Sequence, residues 1–304
     1  MNKVALIIDN SGYFSKQDVE RYNVQKLIPI SFIINGDEYY EGQNMTYQDF
    51  YQFLADKNTI VSTSQPSIET IKEGWREILK DYEEIVYIPL SSGLSEACNT
   101  AINASHEDEF EGKVFVVNNQ KVAYLHKASV IEASKLISDG KSAKEVKDYL
   151  ESTKSECGVY IGVDTLKYLK KGGRVTPAAA AIGTLLNIKP ILQIHGGKLD
   201  AFAKTMSMKQ ARAKMIAATK KEVEERFPEE LKEGKIVIGM AHTFPNLDAQ
   251  EIKDFEADVK AALPEMSFFT HDPLPLFVAC HTGPNCMAVG YYVDRLGVLK
   301  DYQK

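Results

Sequence analysis

The stretch EIVYIPLSSGLSEACNTAINAS, residues 84–105, decides how the rest of the chain is read. EIVYIPL is a short apolar run with strand character, EACNTAINAS reads as a helix, and a serine-rich loop joins them. The same order recurs on both sides. KVALIID (3–9) and KLIPISFII (26–34) read as strands. MTYQDFYQFLADK reads as a helix with Thr46 as N-cap and Asp49 three residues on, the spacing of a capping box. SIETIKEGWREILKDY puts Ile68, Ile71, Trp75 and Ile78 on one helical face. The strand KVFVVNN and a helix over 122–138 follow, then the charged helix GKSAKEVKDYLESTKSE, which leads out of a first domain near residue 155.

Alternation of this kind predicts a mostly parallel sheet flanked by helices, with ligands received at the strands' carboxyl ends. Those ends carry Asp9-Asn10-Ser11, Ser91-Ser92-Gly93 and Asn118-Asn119, all small and polar. The second half has a different texture. GVYIGVD, KPILQI, KIVIGMAH, SFFTHD and CMAVGYY read as strands, and ILQIHGGKLDAFA reads as a hairpin turning at Gly196-Gly197. A helix starts near TLKYLKKGGR, an Ala-rich helix spans 177–187, and a basic one spans 207–226. The expected architecture is α/β in two domains, 1–155 with a mostly parallel sheet and 156–304 with a mixed one, and the ligand between them.

Composition narrows the function. With 304 residues, 44% hydrophobic and 26% charged, the chain is an ordinary globular protein long enough for two cores. A net charge of −6 argues against duplex nucleic acid, which needs a basic face, though it allows a local basic pocket. No run approaches the roughly 18 apolar residues of a spanning helix, so integral membrane association is not expected. Asp9 and Asn10 interrupt the first apolar run too early for a signal peptide, and the expected location is cytoplasmic. Cys98, Cys157, Cys280 and Cys286 are scattered, which predicts neither a disulfide framework nor a zinc site. Neither a phosphate-binding G-x-x-x-x-G-K-[ST] nor a G-x-G-x-x-G after the first strand occurs, which disfavours the usual nucleotide enzymes.

Four polar loops remain. STSQPS (62–67) crowds hydroxyls before a helix, with Pro66 early in it, either as plain capping or as an anion cradle. GLSEA (93–97) has the context of a nucleophile elbow around Ser95, with Ala97 replacing the last glycine, and Asp164 and His281 would complete a triad. The same serines also suit N-caps and amide-dipole anion sites. LKKGGRVT (169–176) presents Arg174 after a Gly-Gly turn, for an anion or for a surface ion pair. CHTGPNC (280–286) offers His281, Thr282 and a Gly283-Pro284 turn, open to three readings: metal, nucleophile with base, or a grip on a small ligand.

Together, TSQPS, IPLSSGLSEA, VDTLKYLKKGGRVT, IGTLLNIKPIL and HTGP, in this order and spacing, resemble the DegV family over nearly the whole chain. The resemblance implies a two-domain α/β carrier of a long-chain fatty acid, with no cofactor and no turnover of its own. FakB-type bacterial members present the acid to a separate ATP-dependent fatty acid kinase, whose acyl phosphate feeds phospholipid synthesis. By matching position it implies that Ser62, Thr63, Ser91, Ser92, His281 and Thr282 meet the carboxyl group, and that Arg174 and Ser95 lie near it. The tail would run among side chains such as Ile182, Leu185 and Leu186. This chain departs from the family pattern in DNSG for Asp-Ser-Thr, in Asn118-Asn119, in Asn285 for glycine, and in KTMSMKQARAK (204–214), which lacks arginines common in relatives. A serine hydrolase using Ser95 and His281, and a binder of another small carboxylate or phosphate, are the competing expectations.

Overall fold

Every residue of Val4–Asp9 is buried, the pattern of a strand covered on both faces of a parallel sheet. The computed structural model describes residues 3–56, 58–182, 188–194, 199–300 and 302. In chain order these form strands β1 (Val4–Asp9), β2 (Val24–Ile28), β3 (Ser31–Ile34), β4 (Asp37–Tyr39), β5 (Val61–Ser64), β6 (Glu84–Ile88) and β7 (Val114–Val116). They continue with β8 (Cys157–Gly162), β9 (Lys189–Ile194), β10 (Asp200–Thr205), β11 (Ile236–His242), β12 (Ser267–Pro273) and β13 (Met287–Val293). The chain divides into two compact units, Met1–Ser31 with Thr63–Ser155, and Phe32–Ser62 with Glu156–Lys304.

The first unit holds a four-stranded sheet in the order β2-β1-β6-β7, parallel throughout. From β1 the chain goes first to one side, then to the other, so the carboxyl ends of β1 and β6 form a topological switch point. Ligand crevices of open α/β sheets lie at such points. The helix Ile68–Ile78 starts where Ser67 accepts the Thr70 N–H at 3.0 Å, and it buries Ile71 and Trp75 against the sheet. Trp75 meets Phe110 and Tyr87 edge-on, with ring centroids 5.1 and 5.9 Å apart.

The second unit holds a six-stranded mixed sheet, β10-β9-β8-β13-β11-β12, in which only β11 and β12 run parallel. Met208–Arg226 packs on it through Ala211, Met215, Ile216 and Val223. Ser207 caps that helix by accepting the Gln210 N–H at 3.2 Å. A smaller sheet has the order β4-β3-β5.

Several expectations need correction. KLIPISFII is two strands, β2 and β3, in different units, because Pro29 has no N–H to continue a ladder. The next turn, Asn35-Gly36, has both φ angles positive, at 54° and 102°, and folds β3 onto β4 as a hairpin. Residues 32–62 therefore lie in the second unit, where the sequence reading has one boundary at 155/156. Pro66 precedes the helix Ile68–Ile78 instead of entering it, and Ser62–Ser64 belong to β5. Asp49 returns its carboxylate to the Thr46 hydroxyl at 2.6 Å, so Thr46 caps the helix Tyr47–Ala55 without the reciprocal backbone bond. The helices Leu276–Thr282 and Gln250–Ala262 are additions to the sequence reading. The turn at Gly196-Gly197 and the end of the 177–187 helix lie outside the described residues.

Trp75 is the only tryptophan, and its indole N–H has no hydrogen-bond partner among the described residues. Trp75→Ala is therefore expected to cost about 3–5 kcal/mol of stability, read by circular dichroism against urea. Trp75→Phe, which loses no hydrogen bond, should cost markedly less.

Candidate functional site

The polar loops expected at the strand ends of the first unit are stitched together around one carboxylate. Asp9, the last residue of β1, is 1% exposed. Its Oδ1 accepts the Ser11 N–H at 2.9 Å and the Ser11 hydroxyl at 2.5 Å. Its Oδ2 accepts the Leu90 N–H at 2.6 Å, which ties the end of β1 to the loop after β6. The Ser91 N–H donates to Lys121 O at 3.2 Å, and the Ala123 N–H donates to Ser11 O at 2.8 Å. Asp9-Asn10-Ser11, Ser91-Ser92-Gly93 and the segment after Asn118-Asn119 thus form one polar face.

Within it, Ser91 Oγ accepts the Gly93 N–H and Ser95 Oγ accepts the Ala97 N–H, each at 3.2 Å. Both serines act first as turn acceptors, as capping predicts. Ser92 is half-buried beside them. Asn119 is buried, with Oδ1 accepting the Lys121 N–H at 3.3 Å and its Nδ2 without a partner among the described residues. Such an orphaned donor is what a bound polar group or a water satisfies.

Three residues of this face carried no motif signal. His126, fully buried in the helix Tyr124–Ser138, sets Nε2 3.0 Å from Ile88 O and 3.8 Å from Asp9 Oδ1. Burial lowers its pKa, although the Asp9 carboxylate pulls the other way. Lys121 and Lys127 are buried as well. Lys127 Nζ lies 4.0 Å from Asp18 Oδ2 and 5.9 Å from the Phe14 ring centre.

The second unit contributes another polar group. His281 stands in the last turn of Leu276–Thr282 and packs on the helix Lys167–Gly172. A Cβ on Gly172 would overlap His281 Nδ1, and a Cβ on Gly283 would overlap the Tyr168 ring. Gly173 closes its helix in the left-handed conformation, φ 68°, and Arg174 Nη1 donates to Gly172 O. The Gly-Gly-Arg and His-Thr-Gly motifs are therefore one contact. Burial first, and the Arg174 charge second, lower the His281 pKa to about 4. Thr282 Oγ1 faces Val278 O and Gly283 O, each at 3.4 Å. Ser62 is exposed and Thr63 half-buried along β5.

A cleft of about 650 Å³ opens in the same unit, lined by Asp164, Met208, Phe244, Asn285 and Met287, with Asp248 and Glu251 also on it. Asn285 takes a left-handed φ of 59° there. Three carboxylates make the cleft a poor seat for an anion, and Asp164 is ion-paired to Lys189. That pair counts against a triad, as does the charged neighbour of His281, which is a cation. Of the side chains expected along a tail, Leu185 and Leu186 lie outside the described residues. Among those residues, no group of three or more His, Cys, Asp or Glu side chains is arranged to hold a metal ion.

One unit with a parallel sheet and a polar switch point, and a second with a mixed sheet and a half-buried histidine and arginine, define a two-unit α/β protein of one known class. The chain matches the profile of the family described as "Uncharacterised protein, DegV family" over residues 3–294. It is 33% identical over 214 residues to a DegV domain-containing protein of Staphylococcus aureus, covering 69% of this chain and 73% of that one. With a DegV domain-containing protein of Halalkalibacterium halodurans it shares 25% identity over 297 residues, 97% and 100% of the two chains. It superposes on a fatty-acid-binding DegV family protein from Thermus thermophilus with TM-score 0.84 and 26% identity, covering 96% and 99%. A stearic-acid-binding protein from Eubacterium ventriosum shares the fold with TM-score 0.84 at 20% identity, covering 97% and 99%. The chain belongs to the DegV family.

Because Gly172 makes room for the imidazole, Gly172→Ala should cost about 1–3 kcal/mol in urea unfolding. In a His281→Ala background the same change should be neutral or stabilising, since alanine is the better helix former. Absence of that coupling would mean the two residues do not touch. The His281 linkage has a definite sign. Its folded pKa lies below the unfolded value of about 6.5, so its contribution is complete above that pH and is lost as pH falls toward about 4.

Proposed function

We propose that the protein binds a long-chain fatty acid and presents its carboxyl group to a separate ATP-dependent fatty acid kinase. The observation that carries this reading is the whole-chain likeness to the fatty-acid-binding Thermus thermophilus protein. In this reading Ser62, Thr63, Ser91, Ser92, His281 and Thr282 meet the carboxyl group, with Arg174 and Ser95 in its vicinity.

Physical chemistry supports the assignment. A buried carboxylate is costly unless several donors satisfy it. The Ser91 and Ser95 oxygens accept backbone N–H groups, which leaves their hydroxyl protons to donate. A neutral imidazole offers one further N–H, and the Arg174 charge favours an anion beside it. Each buried CH₂ of the tail contributes about 0.8 kcal/mol, so a tail of about a dozen carbons is held without a covalent bond. Thr282, turned toward backbone carbonyls, is the weakest member of the set.

Denaturing the purified protein and identifying the released small molecules by mass spectrometry tests the reading. A fatty acid is expected at close to one per chain. His281→Ala and the double change Ser62→Ala, Thr63→Ala should each reduce retention at least tenfold, the loss of about 1.4 kcal/mol or more expected for a charge-assisted hydrogen bond. A protein that comes out empty and takes up no added fatty acid would overturn the proposal. Kinase presentation is tested separately, by acyl phosphate formation with loaded protein, the kinase and ATP.

A further inference from the structure

The helix that carries His281, Leu276–Thr282, has Pro275 as N-cap and no capping side chain of its own. The exposed N–H end of any helix attracts a carboxylate. Here it is supplied from 235 residues away, by Glu41 Oε2, which accepts the Leu276 N–H at 2.8 Å. Glu41 sits in a tight loop built to hold it. The Tyr40 N–H donates to Asn44 Oδ1 at 2.7 Å, the Gly42 N–H donates to Met45 O at 3.0 Å, and Gly42 has φ 73°. A second bond, from the Tyr47 hydroxyl to Phe244 O at 2.9 Å, fastens the same segment to the loop that follows β11.

We infer that Glu41 is a positioning residue for His281: its carboxylate anchors one end of a two-turn helix whose other end presents the imidazole. Ionised, it makes a charge-assisted bond to the Leu276 N–H, and protonated, it makes a weaker one. The groups that bear on the pair are few. Cys280, on the same helix, feels the Glu41 charge, and burial drives its thiol far above the neutral range. On the His281 side stands the Arg174 guanidinium. Burial raises Glu41 to about 7, against the bond from Leu276. His281 titrates near 4, so in the range of about pH 6 to 8 a change at the imidazole reports Glu41 and not itself.

Nuclear magnetic resonance on the ligand-free full chain tests this, with His281 assigned among the six histidines by His281→Gln. The ring signals of His281 are expected to show a step with its midpoint near 7, shared by the Leu276 amide. In Glu41→Gln, which keeps the acceptor and the shape, the whole step should vanish. A flat His281 profile in the unaltered protein overturns the inference, and so does a step that survives the substitution. The unaltered protein decides by itself if the variant does not fold, because the ring and the Leu276 amide must then move together.

No fatty acid enters that experiment, so its outcome is independent of the proposed ligand. Its consequence for lipid rests on that reading. Fatty acid retention should fall severalfold between about pH 8 and 6 and be level in Glu41→Gln over this range. A His281 step without that fall would keep the positioning role and count against the head-group assignment.

Discussion

A carboxylate buried at the switch point of the first sheet holds its polar loops in register. Asp9 is out of water, and a charge there is tolerable only with its oxygens occupied. The Ser11 amide and hydroxyl fill one oxygen and the Leu90 amide the other. That last bond joins the end of β1 to the loop after β6, and the Ser91–Lys121 and Ser11–Ala123 bonds extend the tie to the loop after β7. Three segments far apart in sequence thus take one shape. Buried Lys121 and Lys127 bring two cationic groups to this face beside the Asp9 carboxylate, although the whole chain carries a charge of −6.

The second unit reaches its polar site by a different route, exclusion of Cβ atoms. Gly172 and Gly283 each sit where any larger residue would strike a ring, one His281 and the other Tyr168. Two short helices interlock, each lending a glycine to the other's aromatic or imidazole group. Contact this close strips water from His281, and stripping water is the larger cause of its lowered pKa. Glu41 then fixes the far end of the same helix.

Much of this was legible from residues alone. Alternating apolar runs and helical faces predict the two sheets, and Thr46 and Ser67 cap helices as their sequence context requires. The three polar loops follow from placing β1, β6 and β7 side by side. What escaped was long-range. The Asn35-Gly36 turn is a strong local hairpin signal, but the apolar run 26–34 hides it until Pro29 is given its full weight as a ladder breaker. Nothing local says that 32–62 packs with the second unit, because that depends on partners such as Leu276 and Phe244. His126 and Glu41 sit in stretches with no motif, and their roles come from contacts 38 and 235 residues away.

The Arg174 charge beside His281 also bears on the choice between chemistries. A general base must accept a proton, and so become cationic, as its nucleophile attacks. In a triad an acid steadies that charge. Beside His281 the charge is a guanidinium, which opposes protonation, and Asp164, the acid a triad would recruit, is engaged by Lys189. Burial works in the same direction. An imidazole held neutral next to a cation is poor at taking a proton from serine and well suited to donating one hydrogen bond to an anion. The arrangement that weakens the hydrolase reading is thus compatible with the carboxylate ligand proposed.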